Sequence, residues 1–391
     1  MRVVMFYHSV LSDWNHGDAH FLRGIAGALQ YRGHDVVIYE DRNAWSVRNL
    51  VADQGPSALT CVYDVYPQLR IVRYDRSALD LNEALAGAHM VVVHEWNDPE
   101  LVFRVAAHRR QHDSYRLLFH DTHHRCIADS EGLPFAALQH FDAVLVSGES
   151  IREIYVRRQD LAKDGAENLH VWHEAADDNV FYPRRRDLFA APLNGRNAAA
   201  LRTTYEGDLV WIGNWGDDER VAEIHDFLIE PVRRLKLKAR VYGVRYPSEA
   251  IRALSAAGIE YAGWLPNFRV PETFAEFRVT LHIPRRPYAN SLLGIPTIRP
   301  FEAMACGIPL ICVPWSDTEQ LFTLGKDYLL AHDTDEMANH LELLLNCPEQ
   351  ARCLAVHAYR TILQRHTCAH RAEELLALHK TLLFQKAGVP S

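Results

Sequence analysis

The sequence predicts an α/β chain built on parallel sheets, and three observations carry that expectation. Short apolar runs that read as buried strands alternate from end to end with longer segments of helical spacing. The alternation runs through the first half, fails around Pro183–Asn197, and starts afresh near Asp208. A length of 391 residues fits two to three domains at about 150 residues each.

The elements follow in order. Arg2–Tyr7 is an apolar strand, and Asp18–Tyr31 has helical spacing with Phe21, Ile25 and Leu29 on one face, closed by Gly33. Strands are expected at Asp35–Tyr39, Leu69–Tyr74, Met90–His94, Arg116–His120, Ala143–Ser147 and Leu169–His173, with helices at Pro99–Gln111 and Ser150–Arg157. The stretch Pro183-Arg184-Arg185-Arg186 through Pro192-Leu193-Asn194-Gly195 keeps neither period and reads as a linker. The second series comprises strands Asp208–Ile212, Ala239–Tyr242, Ile259–Tyr261, Val279–Ile283, Pro309–Val313 and Tyr328–Ala331. Its helices are Val221–Leu235, Pro247–Ala257 and Ile298–Cys306. Asp333 with Glu336 resembles a capping box for the next helix, and Pro348 to Leu383 is mostly helical. The expected organisation is an α/β chain of two Rossmann-like domains facing a cleft. They occupy residues 1–190 and 200–370, and a C-terminal helix at 371–391 packs back toward the first.

Composition narrows the function. With 42 basic against 50 acidic side chains the net charge is −8, which argues against a nucleic-acid coat but leaves room for one anion in a local basic site. Disorder, collagen and small disulfide scaffolds are excluded by an ordinary apolar and charged balance. No apolar run reaches the roughly 20 residues that span a bilayer, and the N-terminus lacks a signal-peptide pattern. The seven cysteines form no C-x-x-C pair and read as buried free thiols of a reducing compartment. A cytoplasmic location is expected, with room for peripheral association at the inner membrane face.

The most informative stretch runs from Tyr288 to Ile311: a polar loop with Gly294 and Pro296, a helix capped by Gly307, then a buried strand. Backbone N–H groups at that helix N-terminus favour an anion such as a diphosphate. Glu302 lies about one turn in. Its carboxylate can accept hydrogen bonds from vicinal sugar hydroxyls, or simply complement the helix dipole; chemistry alone leaves both open. Arg285 and Arg245 follow expected strands, where carboxyl ends meet a ligand, and Gly213–Arg220 opens a helix after the first strand of its domain. Each single arginine has the alternative of a surface ion pair. Asp13–His20 holds the matching place after the first strand of the chain. His120, Asp121, His123 and His124 include metal-ligand types but lack any known ligand spacing, so no metal is expected. No Gly-x-Ser-x-Gly elbow is present.

Phe301-Glu302-Ala303-Met304-Ala305-Cys306-Gly307-Ile308-Pro309 resembles the nucleotide-sugar motif of group 1 glycosyltransferases of the GT-B fold, which include the family 4 retaining enzymes. Phe322–Leu329 and Glu174–Pro183 are similar to the family's later loop and its interdomain approach. The likeness covers most of the chain at fold level and is specific over Thr297–Pro309. It implies a nucleotide diphosphate sugar as co-substrate, no other cofactor and no metal ion, with a small-molecule, glycan or lipid-linked acceptor and no nucleic acid. Glu302 would hold the ribose hydroxyls, with Thr297, Arg299, Asn214, Arg220, Arg245 and Arg285 around the donor. Asn15, His16 and Gly17 would form the loop near the transferred sugar and acceptor. A histidine that touches the donor sugar matches His120, or else His94, with Asp121 beside it. The family's second glutamate, eight positions upstream, is Gly294 here. That departure keeps two alternatives in view: a nucleotide-sugar epimerase of the same fold and a non-catalytic nucleotide-sugar-binding subunit.

Overall fold

The computed structural model describes residues 1–123, 125–128, 134–157, 168–189, 205–216 and 218–386. The chain forms two compact units, Met1–Asp177 together with the chain from Cys368 onward, and Asp178–Thr367.

In the first unit seven parallel strands are ordered β3-β2-β1-β4-β5-β6-β7. They are β1 (Arg2–Tyr7), β2 (Asp35–Asp41), β3 (Ile71–Tyr74), β4 (Met90–His94), β5 (Arg116–Asp121), β6 (Ala143–Val146) and β7 (Leu169–Val171). The central strands are buried on both faces, which is why Val3–Tyr7 of β1, Met90–Val93 of β4 and Leu117–Phe119 of β5 read as continuous apolar runs rather than alternating ones. Phe6 pairs with Tyr39 on one side and Val93 on the other. Fully burying such a side chain contributes about 1.5–3 kcal/mol. The helix Cys368–Lys386 packs along the helix Ala19–Tyr31, and Gly24 makes the close approach possible. A Cβ there would press on the Cys368 thiol and lie 2.9 Å from Asp177 Cβ.

The second unit repeats the winding with six parallel strands ordered β10-β9-β8-β11-β12-β13. These are β8 (Gly207–Ile212), β9 (Ala239–Tyr242), β10 (Ile259–Tyr261), β11 (Phe277–His282), β12 (Leu310–Cys312) and β13 (Leu329–Leu330). Its core runs from Leu209 and Trp211 through Val241, Val279 and Leu281 to Ile311.

Expected and observed strands agree to within two residues at either end. Three differences stand apart from that agreement. The expected helix Val221–Leu235 widens into a π turn at His225–Ile229 before resuming at Glu230; Pro231 has no N–H to give and crowds the preceding turn. Glu336 reaches the N–H of His332, one residue before Asp333, so only the Asp333 half of the capping box is made as expected. The chain changes unit at Asp177–Asp178, ahead of the expected linker, whose residues 190–197 lie outside the described ones. All seven cysteines are free, with Cys61 and Cys353 exposed rather than buried. No described helix is long and apolar enough to cross a membrane.

Candidate functional site

Each sheet reverses its winding beside its first strand, between β1 and β4 and between β8 and β11. At such a point the loops leaving two neighbouring strands diverge, and the carboxyl ends leave room for a ligand. The informative loops of both units lie there.

In the second unit, β8 leads through Gly213–Gly216 to Arg220, β11 leads to Arg285, and the helix Ile298–Cys306 begins nearby. Arg220 donates to the carbonyls of Asn214 (3.0 Å) and Ile283 (2.9 Å), which fastens the two loops together. Burial, and then the neighbouring Arg285 and Arg299 guanidiniums, lower Arg220 to about 10. His282, at the end of β11, is lowered to about 3 by burial, then by Arg220 and Arg299. Three guanidiniums thus share one neighbourhood and raise each other's electrostatic cost, an arrangement that an anion relieves. Arg285 is partly compensated by Glu219 at 2.6 Å. Thr297 enters the helix at φ +54°, an outlier for a β-branched residue, and its hydroxyl lies 3.3 Å from His282 Nε2. Backbone strain of this kind is often stored at ligand sites.

Glu302 has no exposed surface. Asn267 Nδ2 donates to its Oε1 at 2.5 Å, and Arg299, one turn earlier, pairs with its other oxygen. Gly294 adopts φ +91° and donates to Ser316 C=O at 2.7 Å. A Cβ there would stand 2.7 Å from Thr318 Oγ1 and 2.9 Å from Glu319 Oε1, so a larger residue does not fit.

In the first unit, buried charges hold the loop after β1. Glu40 of β2 accepts from the N–H groups of Val10 (2.6 Å) and Leu11 (3.0 Å). Arg23 donates to Val10 C=O at 2.7 Å and pairs with Asp13 at 3.1 Å. The loop positions a file of rings. Half-buried Trp45 and Trp96 stand beside His8, followed by His16 and His94, and His120 ends the file against Phe21 and Trp172. At the carboxyl ends of β4 and β5 lies a carboxyl pair. Burial raises Asp121 to about 6, and burial together with Asp121 raises Glu95 well above the usual carboxylate range. The two share a hydrogen bond, while Tyr155 donates to Asp121 at 2.5 Å.

Residues 220–377 match the family model described as glycosyl transferase-like. No curated protein matches the sequence. Solved structures share the fold across nearly the whole chain. Sucrose-phosphate synthase from Thermosynechococcus elongatus has a TM-score of 0.65 at 17% identity, covering 98% of this chain and 99% of its own. Anabaena HepE in complex with UDP-glucose has 0.63 at 14%, covering 97% and 100%. An alpha-glucosyltransferase in complex with UDP has 0.68 at 11%, covering 97% and 100%.

The chain has the GT-B fold, and its residues 220–377 are glycosyl transferase-like.

Within this GT-B fold, the structure brings Arg220, Arg285, Arg299, Thr297 and Glu302 into one neighbourhood of the second unit. Asn214 braces that neighbourhood, its Oδ1 accepting from Val244 N–H at 2.7 Å. Arg245 is exposed, on a left-handed turn after β9. In the first unit, Asn15 rather than Gly17 carries the left-handed turn of the loop, at φ +50°. Gly17 C=O instead accepts from His20 N–H at the helix start. His120, the expected sugar contact, sits at the Trp172 end of the ring file. It is fully buried, neither ring nitrogen makes a hydrogen bond among the described residues, and burial lowers it to about 3, so it is a neutral core imidazole. Asp121 likewise lies inside, committed to Tyr155 and the N–H of His123, rather than on a sugar-facing loop. His94 Nε2 is tied to Thr122 Oγ1 at 3.1 Å. Among the described residues no group of three or more His, Cys, Asp or Glu is placed to hold a metal ion, and His124 lies outside them. Sequence reasoning missed Asn267, His8, Trp45, Trp96 and Glu95. Of these, Glu95 and His8 were signalled by their place directly after β4 and β1.

Proposed function

We propose that the chain transfers a glycosyl group from a nucleoside diphosphate sugar to an acceptor, with the second unit on the donor side and the first on the acceptor side. The observation that carries this reading is the cluster Arg220–Arg285–Arg299 at the turn into the helix Ile298–Cys306. Breaking the anomeric C–O bond builds negative charge on the departing diphosphate. Fixed guanidiniums and helix N–H groups stabilise that charge without reorganising, which lowers the barrier. Three arginines can supply the neutralisation that a divalent ion supplies elsewhere, so transfer is read as metal-independent. The oxocarbenium-like centre is read as reacting with retention, the leaving phosphate accepting the acceptor's proton. Glu302 is assigned to the ribose hydroxyls. This requires Asn267 or Arg299 to yield an oxygen to the ligand, since both oxygens are engaged in the structure. The fold neighbours that carry UDP or UDP-glucose support a uridine donor as the first to try.

The test is calorimetric titration of the whole chain with UDP, GDP, ADP and dTDP, followed by incubation with the matching sugar nucleotides and product analysis. One nucleoside diphosphate should bind, Arg220→Ala and Arg285→Ala should each weaken it at least tenfold, and EDTA should leave transfer intact. Binding of none, or conversion of the donor sugar without any acceptor, overturns the reading.

A further inference from the structure

The ring file at the carboxyl ends of β1 and β4 contains two buried groups that the proposed donor chemistry does not use. His8 and His16 are 5% and 4% exposed, and neither Nε2 makes a hydrogen bond among the described residues. In each ring a bond to the backbone settles the tautomer: His8 is bonded to the main chain of Trp96 and His16 to that of Ser9. With the proton of each neutral imidazole directed at a backbone carbonyl, both Nε2 atoms are left as acceptors. Burial keeps the rings neutral, lowering His8 to about 4; His16 is held well below the usual histidine range by burial and then by His8. The two rings are 5.4 Å apart. A buried acceptor without a donor costs about 1–3 kcal/mol, so the pair is complementary to a ligand that brings O–H groups.

The flanking surface narrows the ligand class. Trp45 lies 4.9 Å from His8, Trp96 lies 6.2 Å from it, and both indoles are half-buried. They are inclined at 67° to one another, so they form a corner rather than a parallel slot for a flat base. Arg125, the cation of this corner, lies 4.7 Å over Trp96 and donates to Glu95 C=O. A neutral acceptor takes an O–H or N–H from its ligand, which a fully ionised group does not supply. Indole faces beside hydroxyl acceptors suit a ring with an apolar C–H face and hydroxyls at its edge. We propose that His8, His16, Trp45 and Trp96 form a binding site for an uncharged saccharide. Its identity as the acceptor of transfer rests on the function proposed above; saccharide binding itself does not.

The experiment is titration of the full chain with maltose, sucrose, cellobiose and lactose, followed by tryptophan fluorescence and calorimetry, with glucose 6-phosphate and uridine as comparators. At least one neutral disaccharide should bind in the millimolar range. His8→Phe keeps the ring volume and removes the acceptor, so it should weaken binding at least tenfold without lowering Tm. Trp96→Leu should do the same and abolish the fluorescence change, while the Kd of the nucleoside diphosphate stays unchanged in both. If no disaccharide binds, if only the phosphorylated sugar or the nucleoside binds, or if His8→Phe binds as the parent does, the site is overturned. Saccharide binding in a protein that binds no nucleoside diphosphate instead overturns the donor reading alone.

Discussion

Glu302→Gln separates two roles for one buried carboxylate. The side chain has no exposed surface, Asn267 donates to one oxygen at 2.5 Å and Arg299 pairs with the other. Glutamine keeps the volume, and its carbonyl can keep the Asn267 bond, but its NH2 then faces the guanidinium donor against donor. Arg299 is only 18% exposed, so water compensates little. Losing one charge-assisted hydrogen bond costs about 1.5–3 kcal/mol. At roughly 2–4 °C per kcal/mol this lowers Tm by about 3–12 °C. If the same carboxylate also holds ribose hydroxyls, affinity for the nucleoside diphosphate falls by a comparable energy, about ten- to 150-fold. Scanning calorimetry reads the first effect and titration calorimetry the second. A lowered Tm with a Kd within threefold of the parent refutes the ribose role and leaves Glu302 as an anchor for the turn Asn267–Arg269.

Other outcomes follow from the packing and the buried charges. Gly24→Ala should cost about 1–3 kcal/mol by overpacking against Cys368 and Asp177; urea unfolding measures it, and Cys368→Ala in the same chain should recover part of the loss, whereas full additivity rules out the contact. His120 is held at about 3 while its unfolded counterpart titrates near 6.5, so the unfolded chain gains a proton that the folded chain refuses. Stability is therefore lost as pH falls below 6.5, and His120→Leu should remove about 1 kcal/mol of that loss between pH 6 and 5; parallel stability curves for parent and variant exclude the effect. Gly294→Glu, which installs the residue that the family resemblance leads one to expect, should lower the stability of the second unit by about 1–3 kcal/mol and give no faster transfer, because φ +91° and the contacts with Thr318 and Glu319 leave no room. A rise in turnover would contradict this.

The strands were legible because both faces of each central sheet are covered, so that Val3–Tyr7 of β1 and Met90–Val93 of β4 stand out as runs with no polar interruption. The helix Trp45–Gln54 was not, since only Ser46, Val47 and Leu50 are buried and no apolar stripe marks it. Glu302 and the arginines were legible from their offsets past a strand or into a helix. The commitment of Glu302 to Asn267 was not, because the turn at Asn267–Arg269 lies over thirty residues away and carries no motif. The packing of the histidines was not legible for a related reason. His94 and His120 both close a strand, yet neighbouring strands bring their rings within 5.3 Å, and Trp172, far along the chain, seals His120 inside.

The contact between the helices Ala19–Tyr31 and Cys368–Lys386 sets an order of manufacture. The last strand of the first sheet ends at Val171, but the helix that covers its first helix is translated only after the whole of Asp178–Thr367. At about 5–20 residues per second that interval lasts roughly ten to forty seconds. During it the second unit has everything it needs to fold, while the first waits with Gly24 and the neighbouring apolar surface uncovered. A late stop codon would therefore release a chain whose younger half is finished and whose older half is not. The last helix acts as the closing stitch of the first unit, so a defect there strikes the end of the chain that was made first.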